Sequence, residues 1–216
     1  MFWAILGLQA ILVFLIAFMN PPPGYYMISE GQRLGAIKRE WVDLEDMSPY
    51  MPRAVVAAED ANFCNHWGFD LDAIRAAVSG NDGRLRGAST ISQQVTKNVF
   101  LWPARSWVRK ALEAEMTIYV ELFWTKRRII EVYLNVAEFD EGVFGVGAAA
   151  AHYFGAKPAD ITLLQAARLA AILPNPKDRS AISPSSMTRA RTAQIMDGAR
   201  TIAADGRDGC FVKKAE

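Results

Sequence analysis

The chain has 216 residues, 51% of them hydrophobic and 22% charged, which is enough apolar material for one domain with a real core and excludes disorder over the whole length. Lysine and arginine number 24 against 23 acidic residues, a formal net charge of +1, so bulk charge offers no argument for a nucleic-acid partner. The two cysteines, Cys64 and Cys210, are too few for a disulfide scaffold or a zinc site, and the sequence leaves open whether they pair.

Residues 2–19 contain no charged side chain, and Gln9 is their most polar member. As a helix they would run roughly 27 Å at 1.5 Å per residue, close to the thickness of a bilayer core. Pro21, Pro22 and Pro23 then stop the helix. Neither a basic leader nor a small-residue cleavage site is evident, so residues 1–20 read as an uncleaved transmembrane anchor rather than a signal peptide. Residues 21–47 read as a linker or entry segment, with 24–35 irregular and partly extended.

From residue 48 the pattern turns helical. Pro52 opens a short helix over 53–60. A second covers 72–79 and ends at the turn-like run Gly80-Asn81-Asp82-Gly83. Ser89 caps a helix running to about residue 99. Ser106 caps a long one running to about residue 124, with Trp107, Ala111, Ala114, Ile118 and Leu122 on one stripe. Thr125 starts the helix over 126–135. A glycine-rich stretch, 142–147, leads into 148–154. Asp160 caps 161–173, which Pro174 and Pro176 terminate. A last helix, about 186–204, is amphipathic and basic. No internal repeat and no alternating strand pattern of any length is present. The fold class is therefore mainly α, with one helical domain over 48–205 and a tail over 206–216.

Four stretches carry chemistry. In Glu59-Asp60-Ala61-Asn62-Phe63-Cys64-Asn65-His66-Trp67-Gly68-Phe69-Asp70, adjacent carboxylates follow an apolar helix. Apolar surroundings raise a carboxylate's proton affinity, which is what a general base requires. In Gly87-Ala88-Ser89-Thr90-Ile91-Ser92-Gln93-Gln94-Val95-Thr96-Lys97-Asn98, amides, hydroxyls and one lysine ride on a short helix. Gln94, Lys97 and Asn98 fall within one turn of each other, suited to gripping sugar or phosphate. Arg105 precedes Arg109-Lys110-Ala111-Leu112-Glu113, where Arg109 and Glu113 are spaced as an i,i+4 pair. Last comes Arg128-Ile129-Ile130-Glu131-Val132-Tyr133-Leu134-Asn135, whose apolar spacing says core helix and whose Glu131 and Asn135 are placed to brace a site from behind.

Each stretch alone reads equally as a polar helix face or a helix end. Together and in this order they resemble the peptidoglycan glycosyltransferases, the transglycosylase modules of class A penicillin-binding proteins and of monofunctional biosynthetic transglycosylases. The family pattern E-D-x-x-F-x-x-H-x-G-x-D is matched at Glu59, Asp60, Phe63, His66, Gly68 and Asp70. G-x-S-T-I-x-Q-Q-x-x-K-N is matched at Gly87, Ser89, Thr90, Ile91, Gln93, Gln94, Lys97 and Asn98. R-K-x-x-E falls at Arg109, Lys110 and Glu113, E-x-Y-L-N at Glu131, Tyr133, Leu134 and Asn135, and L-P-x-x-P at Leu173, Pro174 and Pro176. The likeness covers roughly residues 40–180. The chain lacks the length, the S-x-x-K and the K-T-G of a transpeptidase module, which points to the monofunctional type.

The resemblance implies a lysozyme-like helical domain and a lipid-linked substrate, lipid II, polymerised into glycan strands through β-1,4 bonds with release of undecaprenyl diphosphate. It implies Glu59 as general base on the acceptor 4-hydroxyl. Glu113 would be the second carboxylate, oriented by Arg109. Lys97 and Arg105 would contact the donor phosphates, and Gln94 and Asn98 the sugar or phosphate. Because the displacement needs no covalent intermediate, the two carboxylates should sit wider apart than the ~5–5.5 Å of a retaining glycosidase. A divalent cation, Mg or Mn, at the diphosphate is implied for the family, while no metal-ligand cluster is legible here. Expected partners are lipid II, the growing strand, the membrane and other cell-wall synthesis proteins. The expected place is the outer face of the bacterial inner membrane, on a single-pass anchor. Two rival readings are a lysozyme-like hydrolase of the same glycan, which has no diphosphate to neutralise, and an inactive membrane-anchored scaffold, which needs no catalytic carboxylates.

Overall fold

The computed structural model describes residues 2–79, 89–104 and 106–212. Arg105, Gly87 and the turn-like run at 80–83 lie outside the described residues. The remainder is mainly helical: α1 (Phe2–Ile16), α2 (Tyr25–Leu34), α3 (Tyr50–Glu59), α4 (Leu71–Ser79), α5 (Ile91–Phe100), α6 (Trp107–Phe123), α7 (Lys126–Val136), α8 (Gly145–Phe154), α9 (Leu163–Ile172) and α10 (Ser186–Asp205).

Among the described residues, hydroxyl caps set five of the helix starts. Ser106 and Thr125 accept from the backbone N–H three residues on, at Arg109 and Arg128, and fix the starts of α6 and α7. The helix α5 begins one residue later than expected because Thr90, not Ser89, closes a capping box with Gln93. For the same reason α9 starts at Leu163: Thr162 and Gln165 form the box, while Pro158–Asp160 is a short 3-10 turn.

Two expectations are corrected. The stretch 24–35 is not irregular; it contains α2, whose entry is tied to the domain because Gly24 lies against the Asn98 carbonyl, where an added Cβ would come within 2.1 Å. Glu30 on α2 is buried and pairs with Arg33 and with Lys177, so an unremarkable polar sequence is held helical by tertiary contacts. A small sheet exists, in the order β1-β3-β2: β1 (Lys38–Arg39) runs parallel to β3 (Val143–Phe144), and β2 (Glu138–Asp140) antiparallel to it. Strands this short cannot establish a period of two in sequence. The apolar stripe of α6 turns outward: Trp107 is 91% exposed and Leu122 58%. The buried face is the mixed one, Glu113, Met116, Thr117, Val120 and Glu121.

The N-terminal helix also ends early. Its last hydrogen bonds tighten at Ala17 and Phe18, ahead of the prolines, leaving 15 helical residues, about 22 Å against a core of roughly 30 Å. Among the described residues no helix is long and apolar enough to cross a membrane. The end of α1 docks on α6: Val13 and Ile16 are buried, and Trp124 Nε1 donates to the Val13 carbonyl at 2.8 Å.

Two helix groups frame the site. In one, α3, α9 and α10 pack on each other; Gly198 lets α10 approach α3 so closely that a Cβ there would lie 3.1 Å from Ala57. In the other, α5 packs against α6 and α7. The two cysteines left open by the sequence are joined: Cys64 and Cys210 form a disulfide, 5.7 Å between Cα atoms.

Candidate active site

The acidic pair at the end of α3 divides its work. Asp60 is buried and acts as a brace: one oxygen lies 2.8 Å from His66 Nε2 and the other accepts the Ile91 N–H at 2.9 Å. It thereby ties the end of α3 to the start of α5. Glu59 takes the opposite direction. Its side chain is 15% exposed, Gln94 Nε2 donates to it at 3.1 Å, and Arg191 of α10 lies 3.5 Å from its other oxygen. Burial raises its proton affinity above the ordinary carboxylate range, opposed by the Gln94 hydrogen bond and by the charges of Arg191 and Lys97.

Gln94 is fixed rather than free. Tyr133 on α7 donates to its carbonyl oxygen at 3.3 Å while its amide nitrogen serves Glu59. Burial pushes the Tyr133 hydroxyl well above its usual range, so it stays a donor. Asn135 and Glu131 do brace, but they brace the chain ahead of α3. Asn135 exchanges two 2.8 Å hydrogen bonds with the Val42 backbone, and Glu131 accepts the Leu44 N–H.

One turn beyond Gln94, Lys97 carries a charge that burial disfavours, lowering its proton affinity; Glu113 and Glu59 oppose that shift from two sides. Among the described residues its ammonium forms no hydrogen bond or ion pair. Glu113 is buried and clamped, 2.7 Å from Arg109 Nη1 and in contact with Lys110. Arg109 Nε is held in turn by the Ala104 carbonyl at 2.6 Å. The structure thus gathers Glu59, Gln94, Lys97, Arg109 and Glu113 around one electrostatic centre. Asn98 follows Lys97 on α5, its backbone carbonyl against Gly24, and Arg105 lies outside the described residues.

The family model described as transglycosylase matches residues 28–200. The chain belongs to that family. A biosynthetic peptidoglycan transglycosylase of Jannaschia sp. is 56% identical over 208 residues, covering 95% of this chain and 86% of that protein. Proteins of the same name from Rhodospirillum centenum and Caulobacter vibrioides are 46% and 42% identical, each across 97% of this chain and 93% of the relative.

For a transglycosylase, the residue that sequence reasoning missed is Arg191. Its only signal was a place in a basic amphipathic helix, and nothing local says that α10 crosses the end of α3. Thr188, Thr192, Ile195, Ala199 and Ile202 form the buried stripe that fixes the crossing and sets Arg191 beside Glu59. Because the Arg191 charge lowers the proton affinity of Glu59, Arg191→Ala should move the acidic limb of the pH–rate profile to higher pH, with Arg191→Lys restoring part of the shift. Initial rates measured across pH check this, and an unmoved limb removes Arg191 from the electrostatics of Glu59.

Among the described residues, metal ligation finds no matching donor set. Among the described residues no group of three or more His, Cys, Asp and Glu side chains is gathered to hold an ion. Glu113 and Glu59 are engaged by the cations and amide just described. No step below is routed through a metal.

Proposed function

We propose that this chain joins lipid II units into peptidoglycan glycan strands, forming β-1,4 bonds and releasing undecaprenyl diphosphate. The observation that carries the reading is the placing of half-buried Lys97 between two carboxylates of different character, one of raised proton affinity and one clamped by cations. A sugar hydroxyl must lose its proton as it attacks, and Glu59, held by Gln94 at 3.1 Å, is the base. The departing diphosphate is a stable anion that needs positive charge more than a proton. Lys97 supplies it, with Arg105 as a second cation. The arriving anion favours the charged lysine, offsetting what burial disfavours. Glu113, oriented by Arg109, steadies the donor side, and Asn98 is a further sugar or phosphate contact.

Incubation of the protein with lipid II separates the readings. Polymer with released undecaprenyl diphosphate is expected; shortening of preformed glycan instead would indicate a hydrolase, and no change in either a scaffold. Lys97→Ala should raise the lipid II concentration needed for half-maximal rate roughly 10–100-fold, the worth of one charge-assisted hydrogen bond. An unchanged concentration dependence removes Lys97 from the donor site.

Membrane attachment belongs to the same proposal. A lipid-linked substrate favours an enzyme held at the bilayer, with residues 1–20 as the anchor. Supporting it are an uncharged α1 whose Trp3 and Leu8 are exposed, with Phe18 exposed just beyond it, and the outward apolar stripe of α6. Just past α5, Trp102 is at the surface, while Leu101 is core. The disulfide favours the oxidising, outer side of the bacterial inner membrane. Retention of the chain in the membrane fraction after alkaline washing tests the anchor, and its release would overturn it. Other cell-wall synthesis proteins complete the proposed set of partners.

A further inference from the structure

A cavity next to the Glu59 site has no part in the chemistry above. It measures about 560 Å³ and is lined by Asn62, Asn65, His66, Trp67, Phe69 and Asp70 among others. That is within the roughly 300–1,000 Å³ typical of ligand sites. A second cavity, about 260 Å³, is lined by Glu59 itself and shares Asn62 and Asp70 with the first. The two are therefore neighbours along one surface path that begins at the catalytic base.

The loop that carries the larger cavity is rigid. Asp60 fixes it at His66, Thr90 Oγ1 donates to the Gly68 carbonyl at 2.7 Å, and Asp70 accepts the Ala73 N–H at 2.9 Å as it starts α4. Gly68 has φ of +84°, and a Cβ there would meet Thr117 at 2.9 Å, so only glycine lets the chain turn against α6. That turn leaves Trp67 on the surface, 56% exposed, on a backbone that does not move with it. A large ring displayed on a fixed loop costs little ordering when it binds. His66 also has a buried ring nitrogen, Nδ1, with no hydrogen-bond partner among the described residues.

The lining decides the ligand class. Among the described residues it contains no lysine or arginine, so that lining does not suit the diphosphate proposed for the Lys97 side. An indole face with two carboxamides beside it suits a pyranose ring, which offers polarised C–H groups to the aromatic face and hydroxyls to the amides. We propose that Trp67, with Asn62 and Asn65, forms a saccharide subsite that holds a sugar ring of the glycan strand next to the Glu59 centre. The inference rests on the polymerase reading, since only a chain of sugars needs a further ring bound beside the bond being made. The subsite would keep the strand on the enzyme between additions and so lengthen the product.

The test uses the full chain. In the Glu59→Gln background, binding of a peptide-free glycan tetrasaccharide is measured by calorimetry. Adding Trp67→Ala should weaken it about tenfold, the scale of one good aromatic contact, and Trp67→Phe should restore most of the loss. In the chain that retains Glu59, Trp67→Ala should shift the product ladder from lipid II towards shorter strands. Unchanged binding in Trp67→Ala overturns the subsite. So does equal loss in Trp67→Ala and Trp67→Phe accompanied by a lowered melting temperature, which would make the ring structural. Competition by free pentapeptide in place of the tetrasaccharide would reassign the cavity to the peptide stem. If the unaltered chain made no polymer yet bound tetrasaccharide through Trp67, the polymerase reading would fail while the saccharide site stood.

Discussion

Glu59→Gln is expected to lower polymerisation by about 10²–10⁴-fold, the usual contribution of a positioned base, while the fold melts no earlier than the unaltered protein. The first half follows from the chemistry: glutamine keeps the shape and can still accept from Gln94 but cannot take a proton. The second half follows from linkage. Burial raises the proton affinity of Glu59 in the folded state, so the folded chain binds this proton more tightly than the unfolded chain does. Stability from this group is present below the unfolded value and is lost as pH rises through the folded one. At neutral pH the carboxylate is thus a cost that the amide avoids. Each kcal/mol recovered would raise the melting temperature by about 2–4 °C for a domain of this size. The gap between the two proteins should shrink as pH falls and Glu59 protonates. Melting curves at neutral and acidic pH, alongside the lipid II assay, provide both readouts. Retained full activity would remove Glu59 from the mechanism. A variant that melts well below the unaltered chain at neutral pH would show that its surroundings stabilise the charge rather than resist it.

Such a site is costly to hold, and its construction explains which parts were legible in sequence. Ser106 and Thr125 were readable because a cap is a local hydrogen bond between residues three apart. The pairing of Arg109 with Glu113 was readable for the same reason, both lying on one helix. Glu59, Gln94 and Lys97 were named from motifs, but their mutual placement depends on Asp60 bridging to the Ile91 N–H, a contact across 31 positions that no periodicity encodes. Arg191 reaches Glu59 across 132 positions and was missed. The helix α2 was missed because its hold on the domain is a buried Glu30 bound by Lys177, far along the chain. The outward stripe of α6 breaks the rule that an apolar face points to the core. Its inner face instead carries Glu113 and Glu121, each held by a cation, while Trp107 and Leu122 stand outside.

Removing the disulfide with Cys64→Ser and Cys210→Ser together should cost the fold roughly 2–5 kcal/mol, or on the order of 5–15 °C in melting temperature. The bond closes a loop spanning 146 positions, so breaking it restores much freedom to the unfolded chain. In the folded state it pins the segment after α10 across the loop that follows Glu59. Three other contacts hold the same segment: Arg53 to Asp208 at 2.7 Å, Arg207 Nη1 to the Ala61 carbonyl at 3.1 Å, and the Phe63 and Phe211 rings at 6.2 Å. Arg127 adds a hydrogen bond to the Phe211 carbonyl at 3.0 Å. Those contacts can keep the segment in place once the bond is gone, so the loss should fall on stability first and on activity mainly near the lowered melting point. Reductant should destabilise the unaltered protein by a similar amount and leave the double variant unmoved. Identical melting of the unaltered chain with and without reductant would mean that the segment is held by its ion pair and rings alone, and that the covalent link adds nothing to the folded state.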